Sequence, residues 1–271
     1  MKRVLTLWFI TMNLYAQSCH EHTLGNENHY ECDSVCEGIV IKQIKTQLFD
    51  SFQAIYIAEI DTAYNEFEFG IWAPDSLLPT SIIAESLNAT IAINGTFFNM
   101  KEGGSRHFIK VNRAVIFSTE EKEFKTRASG VVTATCESID ISFWDMETER
   151  NYDGKSEDAL VSGPLMIDNN KDVCMWDNDF VNNRHPRSFI GVTKNGKVLF
   201  VVVDGRQPGY AEGMSLFELR WLARRLGCSD ALNLDGGGSS TLYVNDQGVI
   251  NKPSDPVERA VASILYVKMS R

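Results

Sequence analysis

The clearest periodicity lies in the C-terminal third of the chain. Val198-Leu199-Phe200-Val201-Val202-Val203 is apolar at every position, which predicts a strand covered on both faces. Phe189–Thr193 precedes it across Asn195-Gly196, the pair that a two-residue type I′ turn prefers, so the two runs read as a β-hairpin. From Ser215 to Leu226 the period becomes helical, with Leu216, Leu219, Trp221, Leu222, Ala223 and Leu226 on the apolar side. Ser215 and Glu218 form the pattern of a capping box, and Gly227 follows as a stop. Ala231–Leu234 reads as a second buried strand, and Thr241–Val244 and Val261–Val267 as further strands.

Earlier in the chain, Ala54–Ile60, Phe67–Trp72, Thr90–Ile93, Ser129–Thr135 and Ile139–Trp144 have strand character, and Ser81–Leu87 is helix-like. No Pro/Gly/Ser-rich linker, long charge block or fixed repeat interrupts residues 38–271. The pattern predicts a single α+β (mixed α/β) domain over 38–271, with a mixed, largely antiparallel sheet core and a few packed helices.

The first residues have a different character. Lys2 and Arg3 precede an apolar run from Val4 to Ala16, the layout of an export signal over residues 1–18 and too short for a comfortable membrane span. A second reading makes Cys19 the lipid-bearing residue of a lipoprotein, which would be the chain's one link to a membrane. Residues 19–37 then form a polar spacer. It holds His20, His22, His29, Cys32 and Cys36, at a spacing that fits no standard closed metal site. Export allows disulfides. A local Cys32–Cys36 bridge is one possibility, while Cys136, Cys174 and Cys228 read as buried small apolar residues. With 26 Lys+Arg against 36 Asp+Glu in 271 residues, the net charge is −10, which argues against sequence-independent nucleic-acid binding.

Candidate chemistry lies at the ends of the two buried strands. Each runs into Asp-Gly: Val203-Asp204-Gly205-Arg206, and Leu234-Asp235-Gly236-Gly237-Gly238-Ser239-Ser240. A carboxylate at a strand tip sits on a rigid element facing a crevice. Glycines let backbone approach a ligand and present N–H groups to an anion. Arg187, Arg206 and Arg259 flank these motifs and offer planar forks matched to phosphate. Asn94 ends another predicted strand, from which it could reach a sugar hydroxyl. The two tips must therefore meet around one anion-sized hollow.

In order, Asn94-Gly95-Thr96-Phe97-Phe98, Ser162-Gly163-Pro164, Pro186-Arg187-Ser188, Val203-Asp204-Gly205-Arg206, Gly213-Met214-Ser215, Asn233-Leu234-Asp235-Gly236-Gly237-Gly238-Ser239-Ser240 and Arg259 resemble the phosphodiester glycosidase family. The resemblance spans roughly Ser81 to Val267. It implies an exo-acting hydrolase that removes an N-acetylglucosamine-like sugar from a sugar-1-phosphodiester in a glycan; together with the export signal the expectation is an exported enzyme, with no cofactor and no metal. On that reading Asp204 and Asp235 are the catalytic carboxylates, in undecided order. Arg187, Arg206 and Arg259 bind phosphate, and Asn94, Ser239 and the N–H groups of Gly237 and Gly238 position the substrate. Two alternatives stay open: a noncatalytic surface glycan-binding protein, and a phosphodiesterase cutting the P–O bond. Asp168–Asp172 begins like a calcium loop but has Val173 where the turn glycine belongs. His107 and His185 are isolated in the sequence.

Overall fold

The computed structural model describes residues 27–64, 67–154 and 157–270. The expected export signal, Cys19, His20 and His22 lie outside the described residues. The fold is mostly β, with helices in the minority, and every strand pairing among the described residues is antiparallel. The largest sheet has eight strands in the order Glu27–Cys36, Ile39–Leu48, Ser51–Ile60, Val198–Val203, Arg187–Thr193, Cys228–Asn233, Leu165–Asp168 and Lys171–Asp172. A five-stranded sheet is built on Gly248–Val249, Leu242–Val244, Ile91–Asn94, Ile264–Met269 and Phe67–Trp72. Another comprises Ile139–Phe143, Gly130–Ala134, Asp158–Ser162, Ile109–Val111 and Ala114–Phe117.

One hydrophobic cluster joins residues of all three sheets, including Ile41, Ile93, Val132, Phe200, Val202 and Leu265. A second fills the opposite face of the large sheet, where Leu199, Val201 and Val203 meet Leu216, Leu219 and Leu222 of the helix Leu216–Arg225. Strand Val198–Val203 thus divides its side chains between two cores, as its unbroken apolar run requires. The helix starts on the predicted capping box: the Ser215 hydroxyl accepts from Glu218 N–H at 3.2 Å, and the Glu218 carboxylate accepts from Ser215 N–H at 2.8 Å. Gly227 ends it at φ +83°.

This helix carries the chain from strand Val198–Val203 to strand Cys228–Asn233, passing over Arg187–Thr193, which pairs with both. Two strands antiparallel to the same neighbour point the same way, so Asp204 and Asp235 emerge on one edge, two strand spacings or about 10 Å apart along the sheet.

Several details depart from expectation. Residues 27–36 of the expected spacer form an edge strand, because their backbone pairs with Ile39–Leu48. Only Gly196 of the Asn195-Gly196 pair has positive φ, and its N–H donates to the Thr193 carbonyl at 2.9 Å. The hairpin therefore has a three-residue loop with a left-handed glycine instead of a I′ turn. Two-residue turns with both φ values positive occur at Phe49-Asp50, Asn112-Arg113 and Asn169-Asn170, the last between Leu165–Asp168 and Lys171–Asp172. The segment that resembles a calcium loop is this hairpin, and its Asp172 pairs with Arg220 and Arg224.

Trp221 lies outside the core at 39% exposure, with Phe49 edge-on at 5.2 Å and Arg225 over its ring. Cys32 is disulfide-bonded, while the Cys36 thiol lies 3.7 Å from the Met269 sulfur. Four residues apart on one strand places their Cα atoms roughly 13 Å apart, beyond disulfide reach. Cys228 is buried as expected, but Cys136 and Cys174 are exposed.

Candidate active site

The Leu234-Asp235 tip leads into a tight 3-10 turn, Gly237–Ser239. Its close contacts explain its glycines. A Cβ on Gly236 would lie 2.6 Å from the Pro186 carbonyl oxygen, and one on Gly238 would lie 2.2 Å from the Asp255 carboxylate. Gly237 takes φ +64°, and the Arg206 guanidinium lies over its Cα side. The two Asp-Gly loops therefore touch, as the shared hollow requires.

Asp235 is half-buried. Its Oδ1 accepts from Gly236 N–H at 2.9 Å, and the Ser239 hydroxyl also donates to it. Burial pushes its carboxyl up to about 6, against these hydrogen bonds and the charges of Arg127 and Arg259. Arg259 is bound through Nε and Nη2 to Asp255, at 2.8 and 2.7 Å, and reaches the Ser239 hydroxyl from Nη1 at 3.5 Å. Arg206 is exposed, and its Nη2 lies 3.3 Å from Nδ1 of His185. Burial, together with Arg187 and Arg206, lowers the His185 pKa.

Asp204 sits in a different setting at the neighbouring tip. It is 1% exposed. Oδ1 accepts from Asn251 Nδ2 at 2.9 Å, and Oδ2 accepts from Lys252 N–H at 2.9 Å and the Tyr210 hydroxyl at 3.0 Å. Tyr210 in turn is 2.8 Å from the Tyr56 hydroxyl. Burial raises the Asp204 carboxyl to about 6, while the donors oppose the shift.

The phosphodiester glycosidase family matches residues 87–268, well over half of the chain. The chain belongs to this family. A sequence relative, the SPbeta prophage-derived uncharacterized protein YomE of Bacillus subtilis, is 38% identical over 87 residues, a match spanning 32% of this chain and 13% of YomE. Two solved structures share the fold. A hypothetical protein from Synechocystis superposes with TM-score 0.68 at 15% identity, over 90% of this chain and 64% of its own. The catalytic domain of zebrafish N-acetylglucosamine-1-phosphodiester alpha-N-acetylglucosaminidase, auto-inhibited by its pro-peptide, gives 0.66 at 16% identity, over 91% of this chain and 85% of its own.

Within this member of the family, the expected site residues separate into two groups. Asp235, Arg206, Arg259, Ser239, Gly237 and Gly238 gather at the Leu234-Asp235 tip. Asn94, Arg187 and Asp204 stand behind it. Asn94 is fully buried: its Oδ1 accepts from the Ser188 hydroxyl at 2.7 Å and Thr241 N–H at 3.2 Å, and its Nδ2 donates to the Asp235 carbonyl at 2.7 Å. It stitches two sheets together and fixes the backbone of Asp235, leaving no open face for a sugar. Arg187, 1% exposed, donates to the carbonyls of Met214, Phe180 and Asn183 at 2.9, 2.6 and 2.9 Å. It braces a corner, and burial brings its pKa down to about 9. Gly237 N–H donates to the Pro186 carbonyl at 2.9 Å, so it supports the turn and not an anion.

Sequence reasoning missed Asn251, which closes around Asp204 together with Tyr210, and Arg127, whose charge acts on Asp235; His185 lies beside Arg206. The paired prolines of Asn251-Lys252-Pro253-Ser254-Asp255-Pro256 mark a fixed loop and could have drawn attention to Asn251.

Proposed function

We propose that this protein hydrolyses the bond between the anomeric carbon and the phosphate oxygen of a sugar-1-phosphodiester. The glycan substrate carries an N-acetylglucosamine-like sugar, and the enzyme acts outside the cytoplasm, consistent with the export signal read in residues 1–18. The observation that carries this reading is the half-buried Asp235 carboxylate at a strand tip, under the charge of Arg259 and with the Arg206 guanidinium against nearby Gly237, in a chain of the phosphodiester glycosidase family.

The chemistry follows from the leaving group. As the C–O bond breaks, the electron pair goes to a phosphate monoester, which departs readily when guanidiniums neutralise its charge. Positive charge builds at the anomeric carbon, where a carboxylate stabilises it, attacks it or takes a proton from water. Asp235 has the accessible position for that role and is ionised above about pH 6. Asp204, with both oxygens occupied, holds the Asn251–Lys252 segment against the tip as a positioning residue.

Turnover of an N-acetylglucosamine-1-phosphodiester in oxygen-18 water tests the reading. Label in the released sugar means C–O cleavage and supports it. Label in the phosphate means a phosphodiesterase, and binding without release means a glycan-binding protein; either result overturns it.

A further inference from the structure

We infer that Arg127, outside every motif of the chain, binds the substrate phosphate near Asp235, and that Glu123 and His107 are positioning residues that hold it there. The inference rests on the proposed reaction and identifies a further contact to its anion.

Three features converge on Arg127. Its guanidinium lies over the ring of Phe97 at 4.4 Å and within 5.8 Å of Phe180. Aromatic faces of this kind hold a cation without consuming its N–H donors. Its backbone is fitted against Gly163: a Cβ there would meet the Arg127 carbonyl oxygen at 2.0 Å. Gly163 of Ser162-Gly163-Pro164 and Phe97 of Asn94–Phe98 thus both shape the seat of this arginine. Its positive charge also acts on the Asp235 carboxylate.

The third feature is the fork. Arg127 donates from Nε to Glu123 Oε2 at 2.5 Å and from Nη2 to Glu123 Oε1 at 3.3 Å. One edge of the guanidinium is thereby fixed. The other edge, with both Nη1 hydrogens, has no protein partner among the described residues, and the side chain remains 28% exposed. A planar cation held on one edge and open on the other is preorganised for a second oxyanion. Arg127 also lines a hollow of about 480 Å3 with Arg106, Lys122, Glu123, Asn178, Asp179 and Phe180.

Glu123 is 1% exposed and would be expensive to bury unpaired. Burial acts to raise its pKa, but hydrogen bonds from His107 and Arg127 hold it at about 2. His107 is fully buried, and burial lowers its pKa while Glu123 opposes the shift. Its Nε2 lies 3.4 Å from Glu123 Oε2, and its Nδ1 lies 2.9 Å from the Thr96 hydroxyl and 3.3 Å from the Val161 carbonyl. Thr96, His107, Glu123 and Arg127 form one connected chain of contacts.

The test uses the full-length protein, with inorganic phosphate and free N-acetylglucosamine as separate probes in inhibition and calorimetric titration. In Arg127→Gln, phosphate affinity is expected to fall about tenfold to a hundredfold, the size of a lost charge-assisted contact, with sugar affinity unchanged. Arg127→Lys should recover only part, and methylguanidinium should restore Arg127→Ala. Glu123→Gln should weaken phosphate severalfold through KM, with kcat less affected, and His107→Asn less again. Equal weakening of sugar and phosphate, or unchanged phosphate affinity in a folded Arg127 variant, would overturn the assignment. If Arg127→Gln does not fold, Arg127→Lys and Glu123→Gln carry the same comparison. Absence of turnover on every sugar-1-phosphodiester would refute the proposed reaction alone, provided wild type binds phosphate through Arg127. A wild type that binds no phosphate would overturn both.

Discussion

The Asp204 and Asp235 tips begin from almost the same local sequence, an apolar strand running into Asp-Gly, and end on the same edge of the same sheet. Their surroundings separate them. Asn251, Lys252 and Tyr210 close around Asp204, whereas Asp235 stays half-buried under the charges of Arg127 and Arg259. A strand-tip carboxylate is thus a position with chemical potential, and the loops packed over it decide whether it acts on a ligand or on the protein itself.

The sharpest way to break this comparison is to neutralise each carboxylate in turn. Asp235→Asn should lower kcat by about a thousandfold or more with little change in melting temperature. Equal losses in Asp204→Asn would erase the distinction. Next in size is the pH profile: kcat/KM should fall about tenfold per unit below roughly pH 6, where Asp235 protonates, and a flat profile from pH 4 to 8 would remove Asp235 from its role.

Gly238→Ala should push Asp255, and Arg259 with it, out of place. Steady-state kinetics should show about a tenfold to hundredfold loss, since small misplacements at a site are costly. Asp204→Asn turns an acceptor into a donor facing donors, which costs about 1–3 kcal/mol. Calorimetry should show a melting temperature several degrees lower, with activity reduced only about tenfold.

The same variant has a pH signature. The folded pKa of Asp204 is raised from 3.8 to about 6, so the folded chain binds more protons than the unfolded chain between those values. Its stabilising contribution is complete below about pH 3.8 and declines as pH rises through about 6. Melting temperature should therefore vary less with pH in Asp204→Asn than in wild type. The smallest effect belongs to Ser215→Ala, about 1 kcal/mol of stability from the lost cap, with unchanged kinetics.

Much of the frame was legible in the sequence because it depends on local rules. The apolar run at Val198–Val203, the Ser215/Glu218 box and the stop at Gly227 state their structure without tertiary context. The meeting of the two tips could be anticipated because an intervening helix turns the second strand back to the direction of the first.

What escaped depends on distant partners. Nothing around Asn94 reveals that Ser188 and Thr241 will occupy its carboxamide, so it read as a ligand contact. Arg187 read as a phosphate fork because Phe180, Asn183 and Met214 supply its acceptors only after folding. Arg127 lies in Glu123-Phe124-Lys125-Thr126-Arg127, a mixed-charge stretch like many solvated surfaces. Trp221 was misassigned for a related reason: helical period places it near the apolar side, but Phe49 gives it a partner outside the core.

The hairpin linking Arg187–Thr193 to Val198–Val203 begins and ends at the reactive edge, so its loop at residues 194–196 lies at the far end of both strands. That polar loop, with a left-handed glycine facing open space apart from Thr62, is a natural attachment point. A fluorophore or surface-immobilisation handle placed there would report on the molecule, or tether it, with its substrate entrance turned outward.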